Sequence, residues 1–135
     1  MPRPKRNRII NTPPKMEGFK PFGIPMSQLE PVILLYEEFE SLRLCDYDGL
    51  TQEEAAECMG VSRPTFTRIY NKTRQKLAQA FVEAKAIIIE GGNFQTEDFW
   101  YKCNSCQQLN IVEQSLKRCN YCNSQQLRLL NCNNE

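Results

Sequence analysis

The chain has 135 residues, of which 41% are hydrophobic, and its 17 basic and 16 acidic residues leave a formal net charge of +1. This length suits one modest domain with appendages, and no stretch is long and apolar enough to span a bilayer. Because the first residues are basic and proline-rich, they do not predict a secretory signal, and we expect a cytoplasmic protein without disulfides. The seven cysteines occur without any histidine, which removes the commonest general base and argues against an enzyme.

The near-neutral total hides an uneven distribution of charge. Residues 1–20 hold six basic residues and one acidic residue, and residues 30–57 hold nine acidic residues against a single arginine. Residues 58–82 hold five basic residues and no acidic residue. We expect the acidic block to face away from a polyanion such as DNA, which would orient the molecule on a duplex.

Residues 1–26 are predicted to form a basic, proline-rich arm. Six prolines prevent helix there and discourage a central strand. Arg3, Lys5 and Arg6 belong to a cationic cluster that would follow DNA phosphates or enter the minor groove. The alternative is a disordered, solubilising tail. Because apolar residues such as Phe19 interrupt the arm, part of it should pack on the body or on a partner subunit.

Residues 27–92 predict a mainly α domain of three helices. Val32–Leu35 could be a short extended segment or a first helical turn, and the pattern does not decide between them. A clearer helix runs from Glu37 and ends before Asp48. It is predicted to be the first of the three helices and to support the other two.

The core of this domain is predicted from the helical spacing of its apolar residues. Four side chains should meet there: Phe39, Leu42, Ala55 and Ile69. Cys45 and Cys58 lie within the same pattern, and we expect both to be small buried hydrophobic residues rather than ligands.

Residues 50–69 carry the pattern of two capped helices joined by a tight turn. Thr51 and Glu54 have the spacing of a capping box. Gly60 can adopt the left-handed conformation that ends a helix, and Ser62 can cap the next one. This spacing is typical of a helix-turn-helix that places its second helix in the major groove of DNA.

The second of these helices is predicted to be apolar on one side and basic and amide-bearing on the other. Seven residues are predicted to contact DNA: Ser62, Arg63, Thr65, Thr67, Arg68, Lys72 and Arg74. The first would hold a phosphate at the helix N-terminus, the next four would reach base edges or adjacent phosphates, and the last two would anchor the backbone. A charge run alone would equally suit a solvated surface helix.

An apolar stripe continues beyond the DNA-facing turns, and the helix is expected to run on to Gly91. The stripe consists of Leu77, Ala80, Phe81, Ala84 and Ile87–Ile88. It would either cover the chain's own first helix and arm or form the seam of a homodimer. We favour the homodimer, because two-fold pairing doubles the DNA footprint.

Residues 93–135 are predicted to form a small β zinc ribbon. Two C-x-x-C pairs stand twelve residues apart: Cys103, Cys106, Cys119 and Cys122. Two such pairs on facing turns complete a tetrahedral four-sulfur site that suits structural Zn²⁺ and leaves no open position for hydrolytic chemistry. The alternatives are a rubredoxin-like iron site, a redox dithiol and unmetallated cysteines. Cys132 is left over, and the ribbon could be structural, sensory or a contact for a partner.

Several segments resemble a prokaryotic family of small predicted DNA-binding proteins, the domain of unknown function 134 family. They are Met1–Pro4, Phe19–Pro21, Glu38–Leu44 and Met59–Phe66. The segment from Gly49 to Arg63 is also similar to the helix-turn-helix of sigma-factor region four. These resemblances imply a helix-turn-helix fold with DNA as the partner.

The patterns together predict a sequence-specific DNA-binding protein, a transcription regulator that binds double-stranded DNA as a homodimer and does not associate with membranes. The alternative is a protein-interaction module whose sigma-like helices bind RNA polymerase or a sigma/anti-sigma-type partner. The basic helix face favours DNA, and the acidic first helix supports the alternative. Within the enzyme class, the one alternative that the cysteines permit is an iron-bearing electron carrier.

Overall fold

The computed structural model describes residues 8–10, 14–25, 30–91, 94–95 and 98–130. The chain divides into two compact units, residues 1–94 and residues 95–135. The predicted DNA contacts Arg3, Lys5 and Arg6 and the leftover Cys132 lie outside the described residues. None of the helices in the described part of the chain combines the length and hydrophobicity that a bilayer crossing requires.

The described part of the first unit contains three α-helices: α1 Tyr36–Leu42, α2 Gln52–Met59 and α3 Arg63–Glu83. Its short strands are β1 Arg8–Ile9, β2 Gly18–Phe19, β3 Val32–Leu34 and β4 Ile87–Ile89, and the two-residue strand β5 Phe94–Gln95 spans the boundary between the two units along the chain. The helix α1 continues directly into a five-residue π-helical turn, Arg43–Tyr47.

The predicted capped helices and the turn between them are confirmed. The Oγ1 atom of Thr51 accepts the Glu54 N–H at 3.1 Å, and the Glu54 carboxylate accepts the Thr51 N–H at 3.0 Å. Gly60 ends α2 in the left-handed conformation with φ 67°. Ser62 then caps α3 by accepting the Thr65 N–H at 3.3 Å. Two helices are thus joined by three residues.

The buried cluster of the first unit differs in part from the prediction. It contains Leu44, Ala55, Ala56, Met59, Phe66 and Tyr70. Phe39 and Leu42 are only half-buried, and Ile69 is buried outside this cluster. The buried face of α1 carries Tyr36, Glu37, Glu40 and Ser41, and Leu44 continues it at helical spacing. The prediction took the apolar residues as the inward face, whereas buried acids occupy much of it.

The three predicted helices are accompanied by small β-sheets, one of which has three strands in the first unit. The strand order is β2-β4-β3, with β2 antiparallel and β3 parallel to the central β4. The undecided segment Val32–Leu34 is therefore a strand. The pairing of β3 with β4 ties the chain before α1 to the chain after α3, and the Val32 N–H donates to the carbonyl of Ala86 at 2.7 Å.

The prediction that α3 runs on to Gly91 is wrong. The helix ends at Glu83, and Ala84 adopts a left-handed conformation with φ 55°. Ile87–Ile89 then forms β4 and pairs with Val32–Leu34. Three consecutive β-branched residues favour a strand, and a neighbouring strand satisfies their backbone groups as fully as a helix would.

Part of the predicted arm packs on the body, as expected. The Nε atom of Arg8 lies 3.1 Å from the Glu37 carboxylate, and both side chains are almost fully buried. Ile10 is 3% exposed, and β2 pairs with β4.

The second unit is built on a three-stranded antiparallel sheet. Its strands are β6 Phe99–Cys103, β7 Leu109–Val112 and β8 Leu127–Leu129, in the order β7-β6-β8. The central strand carries Trp100, which is 1% exposed, and ends at Cys103. The sheet therefore brings the first cysteine to a strand end beside the loops that carry the other three.

Candidate nucleic-acid interface and metal centre

The helix α3 presents most of its predicted DNA contacts to solvent. Ser62, Arg63, Arg68, Lys72 and Arg74 are exposed, whereas Thr65 and Thr67 are half-buried. The α-helical spacing of these residues places them away from the face that packs on α1 and α2.

A small polar network connects the first turn of α3 to one of its arginines. The Ser62 hydroxyl donates to Thr65 Oγ1 at 2.9 Å, and Arg68 Nη2 donates to the same oxygen at 3.1 Å. The guanidinium of Arg68 is thereby drawn toward the helix N-terminus, where the backbone N–H groups and the helix dipole favour an anion.

Thr67 has a different local role from its predicted DNA contact. Its hydroxyl donates to Gln52 Oε1 on α2 at 2.6 Å. This bond joins the two helices on either side of the turn and helps fix the angle at which α3 is presented. Sequence spacing did not indicate this pair, because the two residues are 15 positions apart.

The first helix does not present the acidic surface that the sequence suggested. Glu37, Glu38 and Glu40 are all buried. Glu38 is paired with Lys76 of α3 at 2.6 Å, and Glu40 with Arg43 at 2.8 Å. The hydrogen bonds that Arg43 donates to the Glu40 carboxylate raise the pKa of Arg43 above its ordinary value, although burial opposes the shift. The charge of these three acids is therefore largely compensated inside the unit.

A second positioned arginine lies further along α3. The guanidinium carbon of Arg74 is 5.5 Å from the centroid of the Tyr70 ring. The Tyr70 hydroxyl donates to both carboxylate oxygens of Asp46, at 2.8 and 2.9 Å. Burial raises the pKa of Tyr70, and its hydrogen bond to Asp46 adds to this shift. The i, i+4 spacing of this tyrosine to an arginine was the available signal in the sequence.

The four predicted cysteine ligands converge at one point in the second unit. The sulfur atoms of Cys103, Cys106, Cys119 and Cys122 all lie within 4.8 Å of one another. The Cys103–Cys122 sulfurs are 3.6 Å apart and the Cys106–Cys119 sulfurs 3.7 Å. A tetrahedral site with metal–sulfur bonds of about 2.3 Å has sulfur–sulfur edges of about 3.8 Å. The group can therefore hold a metal ion.

The two C-x-x-C turns have the same local geometry. In each, the residue after the second cysteine donates its N–H to the carbonyl of the first cysteine at 2.9 Å, from Gln107 to Cys103 and from Asn123 to Cys119. Gln107 and Asn123 have φ values of 66° and 65°. In each turn a backbone N–H also points at the first sulfur at 3.4 Å. Such donors stabilise thiolate, the form that binds metal.

A buried asparagine supports the site and was missed from the sequence. The Asn110 amide donates to Cys119 Sγ at 3.5 Å, and its Oδ1 accepts the Asn120 N–H at 2.9 Å. Burial raises the pKa of Cys119, but the N–H donors of Cys122 and Tyr121 and the Asn110 amide outweigh it and lower the pKa to about 6. The one available signal was a polar residue inside the apolar strand β7.

The remaining described cysteines lie outside this centre. Cys45 is half-buried and packs against the core cluster, and burial raises the pKa of its thiol. The prediction that Cys58 is buried is wrong, because its side chain is exposed. Ala55, Ala56 and Met59 occupy the inward face of α2, which leaves Cys58 on the outer face.

Comparison with known proteins identifies the family. A family model described as protein of unknown function DUF134 matches residues 1–97. The chain belongs to this family. A UPF0251 protein of Thermoanaerobacter pseudethanolicus is 55% identical over 98 residues, which cover 73% of this chain and 83% of that protein.

Two further relatives align with nearly the whole chain. A UPF0251 protein of Chloroherpeton thalassium is 43% identical over 127 residues, 93% of this chain and 84% of that protein. A UPF0251 protein of Moorella thermoacetica is 44% identical over 128 residues, 94% of this chain and 86% of that protein. These alignments extend past residue 97 into the four-cysteine unit. No solved structure matches the chain.

Proposed function

We propose that this member of the DUF134 family is a sequence-specific DNA-binding protein that regulates transcription and reads the major groove with α3. One observation carries the proposal. Four exposed basic side chains, Arg63, Arg68, Lys72 and Arg74, lie on α3, and no acidic residue occurs from Cys58 to Val82. Such a face suits the phosphate-lined groove of a duplex.

The helix pair supports the groove-reading assignment. We interpret α2, the turn at Gly60 and α3 as a helix-turn-helix similar to that of sigma-factor region four. The cap at Ser62 leaves backbone N–H groups at the start of α3 to hold one phosphate. Arg68, drawn toward this end by Thr65, would reach a base edge in the groove. The role is binding rather than catalysis.

We propose structural Zn²⁺ as the ion of the four-cysteine group. The near-tetrahedral spacing of the sulfurs and the all-thiolate donor set both suit zinc. Cys103 and Cys119 would bind from the buried side, and Cys106 and Cys122 from the more exposed side. Four ligands leave no open position, so the ion would hold the second unit together. We also propose a cytoplasmic location, where thiols stay reduced and available to a metal.

We propose homodimer formation through the end of α3. Phe81 and Val82 are 80% and 85% exposed there, which is unusual for two adjacent large apolar side chains. Leu77 and Ala84 are half-buried beside them in sequence, whereas Ala80 is buried within its own unit. A two-fold pair would contact two half-sites and double the footprint on DNA.

The alternative is a protein-interaction module that binds RNA polymerase or a sigma/anti-sigma-type partner. One observation favours it. Glu53 and Glu57 of α2 are exposed and would meet a basic partner surface. The burial of Glu37, Glu38 and Glu40 weakens it, because α1 no longer offers an acidic surface.

Selection of bound genomic fragments by the metal-loaded protein at two salt concentrations tests the proposal. A shared motif that survives the higher salt concentration is the expected result. The absence of binding, or binding without any motif, would favour the protein-interaction alternative.

The variant Arg68→Ala sharpens this test. If Arg68 pairs a guanine through two hydrogen bonds, the change should weaken binding to the selected sequence by about 1–3 kcal/mol and leave unrelated DNA nearly unaffected. Arg68→Lys is the matched control: it keeps the charge but loses the fork geometry, so it should retain non-specific affinity and lose specificity. An equal loss on every sequence would make Arg68 a phosphate contact.

A further inference from the structure

The middle of α3 carries a shallow depression beyond the residues that start the helix. It is lined by Asn71, Arg74, Gln75 and Ala78. All four side chains are exposed. The lining offers one guanidinium and two carboxamides, while the small alanine leaves room beside them. These are groups that donate hydrogen bonds to a compact anion.

The arginine of this depression is held by a buried aromatic ring. Tyr70 is 8% exposed, and its ring stacks on Phe66 with a centroid distance of 5.8 Å and an interplanar angle of 18°. The guanidinium of Arg74 lies over this ring. A cation above a fixed ring loses fewer rotamers when it binds a ligand than a freely moving arginine does.

The ring is held in turn by Asp46, which belongs to the π-helical turn. The turn is braced by Arg43, whose Nη1 donates to Asp48 Oδ2 at 2.8 Å and whose carbonyl accepts the Asp48 N–H at 2.8 Å. Single π-helical turns are rare and occur often at functional sites. This one brings a carboxylate to the hydroxyl of Tyr70.

The position along the helix favours a phosphate over a base. Arg74 is 12 residues after the Ser62 cap, and a rise of 1.5 Å per residue puts it about 18 Å along the axis. In helix-turn-helix proteins the N-terminal part of the recognition helix contacts the bases. Residues this far along lie where such a helix leaves the groove and passes the backbone.

We propose that this depression is a subsite for one backbone phosphate of the bound duplex, an inference that rests on the proposed DNA binding. Arg74 supplies the charge, and the side-chain amides of Asn71 and Gln75 supply further donors. Tyr70 is the positioning residue that holds Arg74 in place, with its ring anchored by Asp46. The subsite contributes affinity but no sequence preference.

The salt dependence of DNA affinity tests the phosphate assignment. Arg74→Gln should make the negative slope of log affinity against log salt shallower by about one unit. The change should be the same on the selected duplex and on an unrelated one. Lys85→Gln is the matched control, because it removes the same charge from a residue outside α3 that is paired with Glu30 and Glu83. Its slope should equal that of the wild type.

A second pair of variants tests the positioning role. Tyr70→Leu removes the ring but keeps an apolar side chain, and it should weaken DNA binding about two- to fivefold. In the Arg74→Gln background it should cause no further loss, because the ring acts through Arg74. Tyr70→Phe keeps the ring but removes its hydrogen bond to Asp46, so its loss should be smaller than that of Tyr70→Leu. Thermal unfolding of each variant confirms that the protein tested is folded.

Each other outcome would overturn a separate part of the proposal. An unchanged slope in Arg74→Gln, with normal binding by the wild type, removes the phosphate subsite and leaves the proposed function intact. A loss confined to the selected duplex would make Arg74 a base contact. Equal losses from Tyr70→Leu with and without Arg74 would reduce Tyr70 to a core residue. A wild-type protein without salt-dependent DNA binding would overturn the proposed function and this subsite together.

Discussion

At Gly60, two separate constraints act on one residue. Its φ of 67° lies in the left-handed region, which costs a residue with a Cβ about 1–2 kcal/mol. A Cβ built there would also lie 3.1 Å from Cδ1 of Ile9. The sequence predicted the first constraint from the helix-ending pattern. It could not predict the second, because Ile9 is 51 positions away.

Gly60→Ala should therefore lower the free energy of unfolding by more than the backbone strain alone, which is about 1–2 kcal/mol, since the Ile9 side chain must also shift. Gly49→Ala is the matched control, with φ 76° and nothing within 4 Å of the added carbon. Chemical denaturation of both variants measures the difference. Equal losses would show that Ile9 moves aside at no cost.

At the level of the elements, a polar contact between α1 and α3 holds these two helices of the first unit together. Glu38 is 2% exposed and accepts hydrogen bonds from Lys76 at 2.6 Å and from the Leu35 N–H at 2.9 Å. Ser41 and Thr73 contact each other at 3.2 Å beside it. An apolar pairing of the two helices could slide by a turn, whereas these groups are satisfied in one register only.

Substitutions of Lys76 and of Glu38 should lower the free energy of unfolding by different amounts. The Lys76 side chain is 21% exposed and can reach water, but Glu38 cannot. Lys76→Met would leave a buried carboxylate without its partner and should cost about 3 kcal/mol. Glu38→Gln keeps an acceptor for the Leu35 N–H and should cost less. Thermal or chemical unfolding measures the stability lost in each variant. A larger loss of stability for Glu38→Gln would contradict this account.

Strand β4 shows where reasoning at the level of elements failed. The apolar spacing after Ala80 fits a continuing helix as well as a strand. Ile87–Ile89 forms a strand rather than a helix because it pairs with Val32–Leu34, more than fifty residues earlier in the chain. Local periodicity contains no information about such a partner.

At the scale of the whole molecule, the chain is two compact units with different sources of stability. Residues 1–94 have a buried helical cluster and a sheet. Residues 95–135 have a small sheet around four sulfurs, and a unit of about forty residues rarely has a sufficient core. Metal binding is therefore expected to supply most of the folding free energy of the second unit.

Removal of the proposed ion should unfold the second unit and spare the first. A strong chelator, or the variant Cys106→Ser, should collapse the amide resonances of residues 98–130 while those of α1–α3 keep their dispersion. Two-dimensional NMR with metal analysis measures both effects. Cys58→Ser is the control, because that exposed thiol lies outside the four-sulfur group. Loss of both sets of resonances would contradict independent folding.

The features that the sequence by itself determined are local ones. The capping box at Thr51, the turn at Gly60 and the two C-x-x-C turns each depend on groups within a few residues, so their spacing predicted them. The tertiary structure decided the inward-facing acids of α1, the strand β4, the contact of Asn110 with Cys119 and the seat of Arg74 on Tyr70. The acids of α1 and the strand β4 depend on partners distant in the chain, and the burial of Tyr70 and Asn110 is settled only when the elements pack.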